Sequence, residues 1–231
     1  MSVTYSLDGA VAVITVDDGR ANAYSPEILA GVRESFDRAA GEAKSVLLVG
    51  REGKFSAGFD LSIMTSGEEQ MRGLVIDGAR TLMKVFTFPL PVVVACTGHA
   101  LAAGGLMMLV CDHRLAADGP FKIGLNEVAI GMPLPQFGVD LARYRLVPSQ
   151  FDAAIFGTVF DPLGAVAAGF VDRVVEPGAL MDEAMAAAQA RAALRTGAVE
   201  RTKQAARGAI AAEILANVEA DMASITGPTP A

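Results

Sequence analysis

PLPVVVACTGHALAAGGLMMLVCDHRLAAD, residues 89–118, changes character several times within one stretch. PLPVVVACTG (89–98) is a short, continuously apolar run bounded by Pro and Gly, as expected of a strand buried on both faces. GHALAAGGLMMLVCD (98–112) reads as a turn that opens an apolar helix from Gly104, and HRLAAD and PFKIG read as two further short strands. Upstream, SVLLVG (45–50) is another buried strand, followed by a Gly-containing turn, GKFSAGFDL, and a helical stretch from about Glu68 to Phe86. Residues 3–16 alternate apolar and polar around Asp8-Gly9, which predicts a β-hairpin. Ser25 as N-cap and Pro26 at the first helical position then open a helix with Ile28, Leu29, Val32, Phe36 and Ala39 on one face. Strand, strand, helix recurs without any literal sequence repeat. This predicts an α/β structure of stacked turns in preference to a single open sheet.

From Pro135 the pattern is helical and Ala-rich, interrupted by VDRVVEP (171–177), a short strand. The division expected is a core over 1–177 and a helical region over 178–231, with two or three amphipathic helices and a disordered GPTPA stub. Small side chains along such helices permit close approach, so this tail reads as a packing or oligomerisation module.

Composition is that of a globular protein, with 231 residues, 52% hydrophobic and 19% charged. The net charge of −7 supplies no global field for nucleic acid or an anionic membrane. Cys96 and Cys111 lack CxxC spacing and His99 and His113 are the whole histidine complement, so no metal site is expected. MSVTYSLDGAVAVITV has no basic n-region and does not read as a signal peptide. The longest near-apolar run, Ala100–Cys111, falls short of the ~20 residues that span a bilayer. A reducing, cytoplasmic setting is the expectation.

FKIGLNEVAIGM (121–132) sets one carboxylate, Glu127, among apolar residues, with Lys122 and Asn126 its only polar company. Such an acid is either helix punctuation at the surface or a group held where water is scarce. In the second case desolvation raises its pKa and makes it a better proton shuttle near neutral pH. The turns at Phe55–Leu61 and Gly98–Gly105 each follow a buried strand and feed a helix. A backbone N–H at such a place has no sheet or helix partner and is free to donate to a ligand, and two converging would form an oxyanion hole. The simpler alternative is that Gly58, Gly104 and Gly105 serve tight turns and close helix packing.

KFSAGFDL, then TGHALAAGGLMMLVCDHRLAA, then FKIGLNEVAIGM, in that order, resemble the crotonase (enoyl-CoA hydratase/isomerase) superfamily. The resemblance implies a spiral of ββα turns, C-terminal helices that build a homotrimer or dimer of trimers, and an acyl-CoA thioester substrate. CoA is then part of the substrate and no separate cofactor is implied. It also implies that the thioester oxygen is gripped by the main-chain amides of Phe59 and Ala103, the latter at a place many members fill with glycine. Hydratases of the family use two glutamates. Glu127 matches one and Leu106 replaces the other, a pattern similar to that of the Δ3,Δ2-enoyl-CoA isomerases, in which one carboxylate shuttles a proton.

By the same resemblance, Ala21, Ala57 and Leu61 line the CoA groove, and Phe55, Gly58, Gly104 and Leu106 belong to the substrate site. Arg20, Arg51 and Lys54 fall where relatives hold the CoA phosphates, although exposed basic residues are usually only solvated. Glu127 is expected to be kept from water by Leu125, Val128, Ile130 and Leu106. Asp60 reads chiefly as a helix cap and His99 as a turn histidine with backbone partners. His113 and Arg114 read as strand-edge residues, and Asp112 lacks an acidic neighbour for catalysis. The segments Met64–Met83 and Pro133–Phe137 are expected to bound the acyl chain. Alternatives to the isomerase are a hydratase or thioesterase on the same fold, a non-catalytic acyl-CoA binder, and a scaffold without ligand.

Overall fold

The alternation of residues 3–16 closes as a hairpin in the computed structural model, which describes residues 2–225. Strands β1 (Val3–Asp8) and β2 (Val11–Val16) pair antiparallel from Val3 opposite Val16 to Asp8 opposite Val11, and Gly9 takes φ +58° in the turn. After the two-residue β3 (Ala23–Tyr24), Ser25 Oγ accepts from Ile28 N–H at 3.3 Å and opens α1 (Pro26–Glu42). The face predicted for α1, Ile28, Leu29, Val32, Phe36 and Ala39, is buried.

Three ββα turns follow. The first has β4 (Ser45–Val49), β5 (Gly53–Ser56), the short β6 (Gly58–Phe59), then α2 (Leu61–Met64) and α3 (Glu68–Phe86). The second has β7 (Val92–Cys96), β8 (Gly98–Leu101) and α4 (Ala103–Val110). The third has β9 (His113–Ala117), β10 (Ile123–Gly124) and α5 (Gln136–Arg145). Then come α6 (Phe151–Ile155), β11 (Val159–Phe160), α7 (Pro162–Ala168), β12 (Arg173–Val175), α8 (Leu180–Ala192) and α9 (Thr196–Ala223).

One strand of each turn joins a six-stranded sheet, β1-β2-β4-β7-β9-β12, parallel except for β1 at its edge. The other joins a second sheet, β11-β10-β8-β5. β4 and β7 are buried along their whole length because helices cover both faces. One face meets the main core, and the other meets Leu180, Ala184 and Ala188 of α8. The stacked-turn expectation is therefore met. Two local readings differ. Gly98–Leu101, expected as a plain turn, is a strand because it pairs with β5 and β10 on either side, and α4 starts at Ala103 instead of Gly104. β11 lies inside a stretch expected to be helical, held by antiparallel pairing with β10.

The tail forms two helices. α8 rests on the six-stranded sheet, where Ser45 Oγ donates to Ala188 O at 2.9 Å, and α9 lies along α3 and α5. The GPTPA stub lies outside the described residues. Arg114 is 5% exposed, its guanidinium paired with Asp172 at 2.6 Å. It is thus an interior residue and not one of a strand edge, since β12 covers β9. Among the described residues no helix is long and apolar enough to cross a membrane.

Candidate active site

The two glycine turns meet. Gly58 has φ +98°, and an ideal Cβ on it would lie 2.8 Å from Ala102 Cβ and 3.5 Å from Ala103 N. Only a glycine lets the first turn approach the start of α4 this closely. Gly104 and Gly105 do the same for that helix, since a Cβ on Gly104 would stand 2.6 Å from Ser56 O and one on Gly105 2.7 Å from Gly124 O. α4 is thereby wedged between the first turn and the start of the third motif. Asn22, fully buried, steadies the first turn, because its Nδ2 donates to Val16 O at 2.7 Å and its carbonyl accepts from Ser56 Oγ at 2.7 Å.

Two main-chain donors lie next to this junction, at Phe59 and Ala103. Asp60 N–H donates to Tyr24 O at 3.1 Å in the β3–β6 pair, and successive amides of an extended strand point to opposite sides, so the Phe59 N–H points away from β3. Ala103 is the first residue of α4, where a helix leaves its N–H without an intrahelical acceptor. The preceding Ala102 takes φ +50° and ψ −122°, a conformation that costs an alanine on the order of 1–3 kcal/mol and clusters at functional sites. Its N–H is tied to Gly124 O at 3.0 Å.

Beside the junction lies a cavity of about 260 Å³ lined by Ala57, Phe59, Leu61, Met64, Ala102, Leu106, Asn126, Glu127, Ile130, Met132, Pro135 and Phe137. Glu127 is 7% exposed. It precedes a 3₁₀ turn at Val128–Ile130, but its side chain caps nothing, and Oε2 is buried without a hydrogen-bond partner. The punctuation alternative is thereby removed. Burial pushes the carboxyl up to about 7, and only a backbone hydrogen bond at residue 127 pulls the other way. A group poised there exchanges protons readily near neutral pH. If Glu127 is the base, kcat/KM should rise about tenfold per pH unit below pH 7 and level off above it. A profile flat from pH 5.5 to 8.5 would remove this assignment.

The shield around Glu127 differs from the one expected. Leu125 and Leu106 are buried at 1%, but Val128 is 44% and Ile130 38% exposed. Met132 and Phe137, which line the cavity at 4% and 3% exposure, take the role given to Val128. Asn126 lines the same cavity, and its Oδ1 is also buried and unpartnered. Only its place next to Glu127 in FKIGLNE hinted at this.

A groove of about 300 Å³ shares Ala57 with the cavity and is lined by Ala21, Lys54, Ser56, His99, Leu101 and Lys122. Lys54 is therefore a groove cation. Arg20 is exposed, and Arg51 is spent on the loop itself, with Nη1 donating to Arg20 O at 2.7 Å and Nε 3.3 Å from Asp17. His99 Nδ1 accepts from Lys122 N–H at 3.0 Å, a backbone partner as its reading proposed. Asp60 Oδ1 accepts from Ser62 N–H at 2.8 Å and caps α2. Phe55 is 3% exposed in the core and lines neither space, and Gly104 acts from behind the wall. Leu61, 61% exposed, stands at the cavity mouth. A larger hollow of about 650 Å³ between β1 and α1 holds none of the residues predicted for the site.

Stacked ββα turns whose glycine turns converge on one helix start make this a protein of the crotonase class. A family profile described as enoyl-CoA hydratase/isomerase matches residues 6–226, and the chain belongs to that family. A putative enoyl-CoA hydratase of Thermus thermophilus is 31% identical over 78% of this chain and 74% of its own length. The human mitochondrial enoyl-CoA delta isomerase 1 is 29% identical over 92% of this chain and 72% of its own length. Among solved structures, an enoyl-CoA hydratase/isomerase family protein of Pseudomonas syringae superposes with a TM-score of 0.95 at 37% identity, covering 97% of this chain and 98% of that one. Relatives thus carry both names, hydratase and isomerase.

Proposed function

We propose that this protein is a Δ3,Δ2-enoyl-CoA isomerase. The observation that carries the reading is the make-up of the cavity: among the described residues lining it, Glu127 is the one ionisable side chain, and it is joined there by Leu106, which the family resemblance sets where hydratases carry a second acid. Glu127 removes a proton from C2 of a 3-enoyl thioester. The C2–H electron pair moves into the C1–C2 bond as the carbonyl pair moves onto oxygen, so that a dienolate forms on the thioester oxygen, held by the Phe59 and Ala103 N–H groups. Returning the same proton to C4 leaves the double bond between C2 and C3. Atoms and electrons balance with no redox partner and no metal. Each aligned donor of such a pair is worth about 10²–10³ in rate, and the positioned base about 10²–10⁴. Lys54, Lys122 and His99 give the adjoining groove the polar character suited to the pantetheine and phosphate part of CoA.

Hydration needs a water held and deprotonated and a proton delivered to C2, ordinarily the work of two acids. The unpartnered Asn126 Oδ1 favours this second reading, since it could hold a water against Glu127. Incubation with a 3-enoyl-CoA and, separately, a 2-enoyl-CoA decides between them, and the isomerase reading expects fast conjugation of the first and slow water addition to the second. Leu106→Glu should then raise hydration of the 2-enoyl-CoA by at least about 10² while isomerisation falls. Parental hydration faster than isomerisation would overturn the assignment.

A homotrimer or dimer of trimers is part of the same proposal. It is supported by large apolar side chains left on the surface at Phe156, 69% exposed, and Leu163, 67% exposed. Sedimentation velocity tests it, and a monomer would refute it.

A further inference from the structure

Gly78 lies in the middle of α3, where glycine costs about 1 kcal/mol against alanine. A steric reason for it is visible. An ideal Cβ on Gly78 would stand 2.3 Å from Phe59 Cε1 and 2.4 Å from Cζ, whereas one on Gly73 of the same helix would meet nothing within 4 Å. The Phe59 ring is therefore seated in a notch cut into α3 by a single missing methyl group. Phe59 is also one of the residues that line the cavity holding Glu127. A ring held between α3 and the cavity would be driven toward the cavity by an atom added at residue 78, and its removal would add its volume to the cavity.

At the ~30 Å³ that a water-sized group occupies in a liquid, the 260 Å³ present admits on the order of eight non-hydrogen atoms. The thioester carbon and the reacting carbons are among them. We propose that the Phe59 ring, seated in the Gly78 notch, is the wall that fixes acyl-chain length, so that the site takes an unbranched acyl thioester of short to medium length. This rests on the acyl-CoA reading above but not on which reaction the site performs.

The test is calorimetric titration of the full chain with butyryl-, octanoyl- and dodecanoyl-CoA. Four proteins are compared: the parent, Phe59→Ala, Gly78→Ala and the double variant. A buried methylene is worth about 0.8 kcal/mol, or roughly fourfold in Kd. The parent should tighten at least about tenfold from butyryl to octanoyl and gain nothing further at dodecanoyl. Phe59→Ala keeps the main-chain donor and should continue to tighten, by at least about tenfold, out to dodecanoyl. Gly78→Ala should weaken octanoyl at least about tenfold while leaving butyryl within about threefold. The double variant should follow Phe59→Ala, because the added methyl no longer meets a ring. The same length dependence in the parent and in Phe59→Ala overturns the proposal even should Gly78→Ala fail to fold. Absence of binding by every ester, with all four proteins folded, instead refutes the acyl-CoA reading on which the proposal rests.

Discussion

Glu127→Gln should lower turnover of a 3-enoyl-CoA by at least about 10³-fold, because the amide keeps the shape of the acid and cannot carry its proton. The loss should sit in kcat, with binding of saturated acyl-CoA near parental. The same substitution should stabilise the fold at alkaline pH. The carboxyl titrates near 4.5 when unfolded and at about 7 when folded. The folded state therefore binds the extra proton between those values, and parental stability falls as pH rises through that window. Above pH 7 the buried carboxylate costs on the order of 3 kcal/mol, a cost the neutral Gln does not carry. Urea unfolding at pH 8 should show the variant more stable than its parent, and at pH 4 the difference should vanish. Near-parental turnover would take Glu127 out of the mechanism, and lower stability at pH 8 would show that its burial carries no such penalty.

The second large effect concerns the fold. Asp112, at the end of α4, receives two cations from α9: Lys203 Nζ at 2.5 Å from Oδ2 and Arg207 Nη1 at 2.8 Å from Oδ1. Val92 N–H also donates to Oδ2, at 2.7 Å. Lys203 and Arg207 are 8% and 7% exposed, and they further donate to Phe88 O, Leu90 O and Phe86 O, the carbonyls that end α3 and lead into β7. Burial pulls the Lys203 amine below its usual range, and Asp112 opposes this by holding it charged. Asp112→Ala would leave two buried cations without a counter-ion, which typically costs 3–5 kcal/mol, roughly. The urea midpoint should fall accordingly, and hydrogen exchange should quicken first in α9. Unchanged protection there would mean that the helix is held by its apolar face, Ile214, Val218 and Met222, alone.

Asp112 shows what a linear reading leaves out. In CDHR it offers no acid partner for catalysis and therefore no evident role, because its two cations come from a helix near the other end of the chain. Arg114 is the same case, since the chain places Asp172 far from it in sequence and the β9–β12 pairing brings them together. Gly78 reads as an unfavourable residue in a helix until the Phe59 ring is found against it. Val128 and Ile130 flank Glu127 in sequence, yet Val128 is 44% exposed and lies outside the cavity lining, while Ile130 lines it only from a part-exposed position and the more distant Met132 and Phe137 line it from buried ones. Strand β8 leaves no mark in the order of residues, because four residues that pair on both sides are set by neighbours distant in sequence.

What the sequence determined by itself were the features set by local physics. These include the hairpin at Gly9, the Ser25 cap, the buried strands at Val46 and Val93, and the two glycine turns that feed helices. It also marked one acid in apolar company, since a carboxylate without charged neighbours is visible in any listing of residues. Tertiary structure alone decided that the turn carrying Phe59 meets the start of α4 at Ala103 and that Glu127 is buried deeply enough for its carboxyl to be pushed up to about 7. It alone set Gly78 of α3 against the ring of Phe59, a residue of the cavity lining. Periodicity and capping are short-range and leave a trace in the order of residues. Convergence and desolvation depend on which distant surfaces meet, and that is fixed only when the turns of the spiral stack.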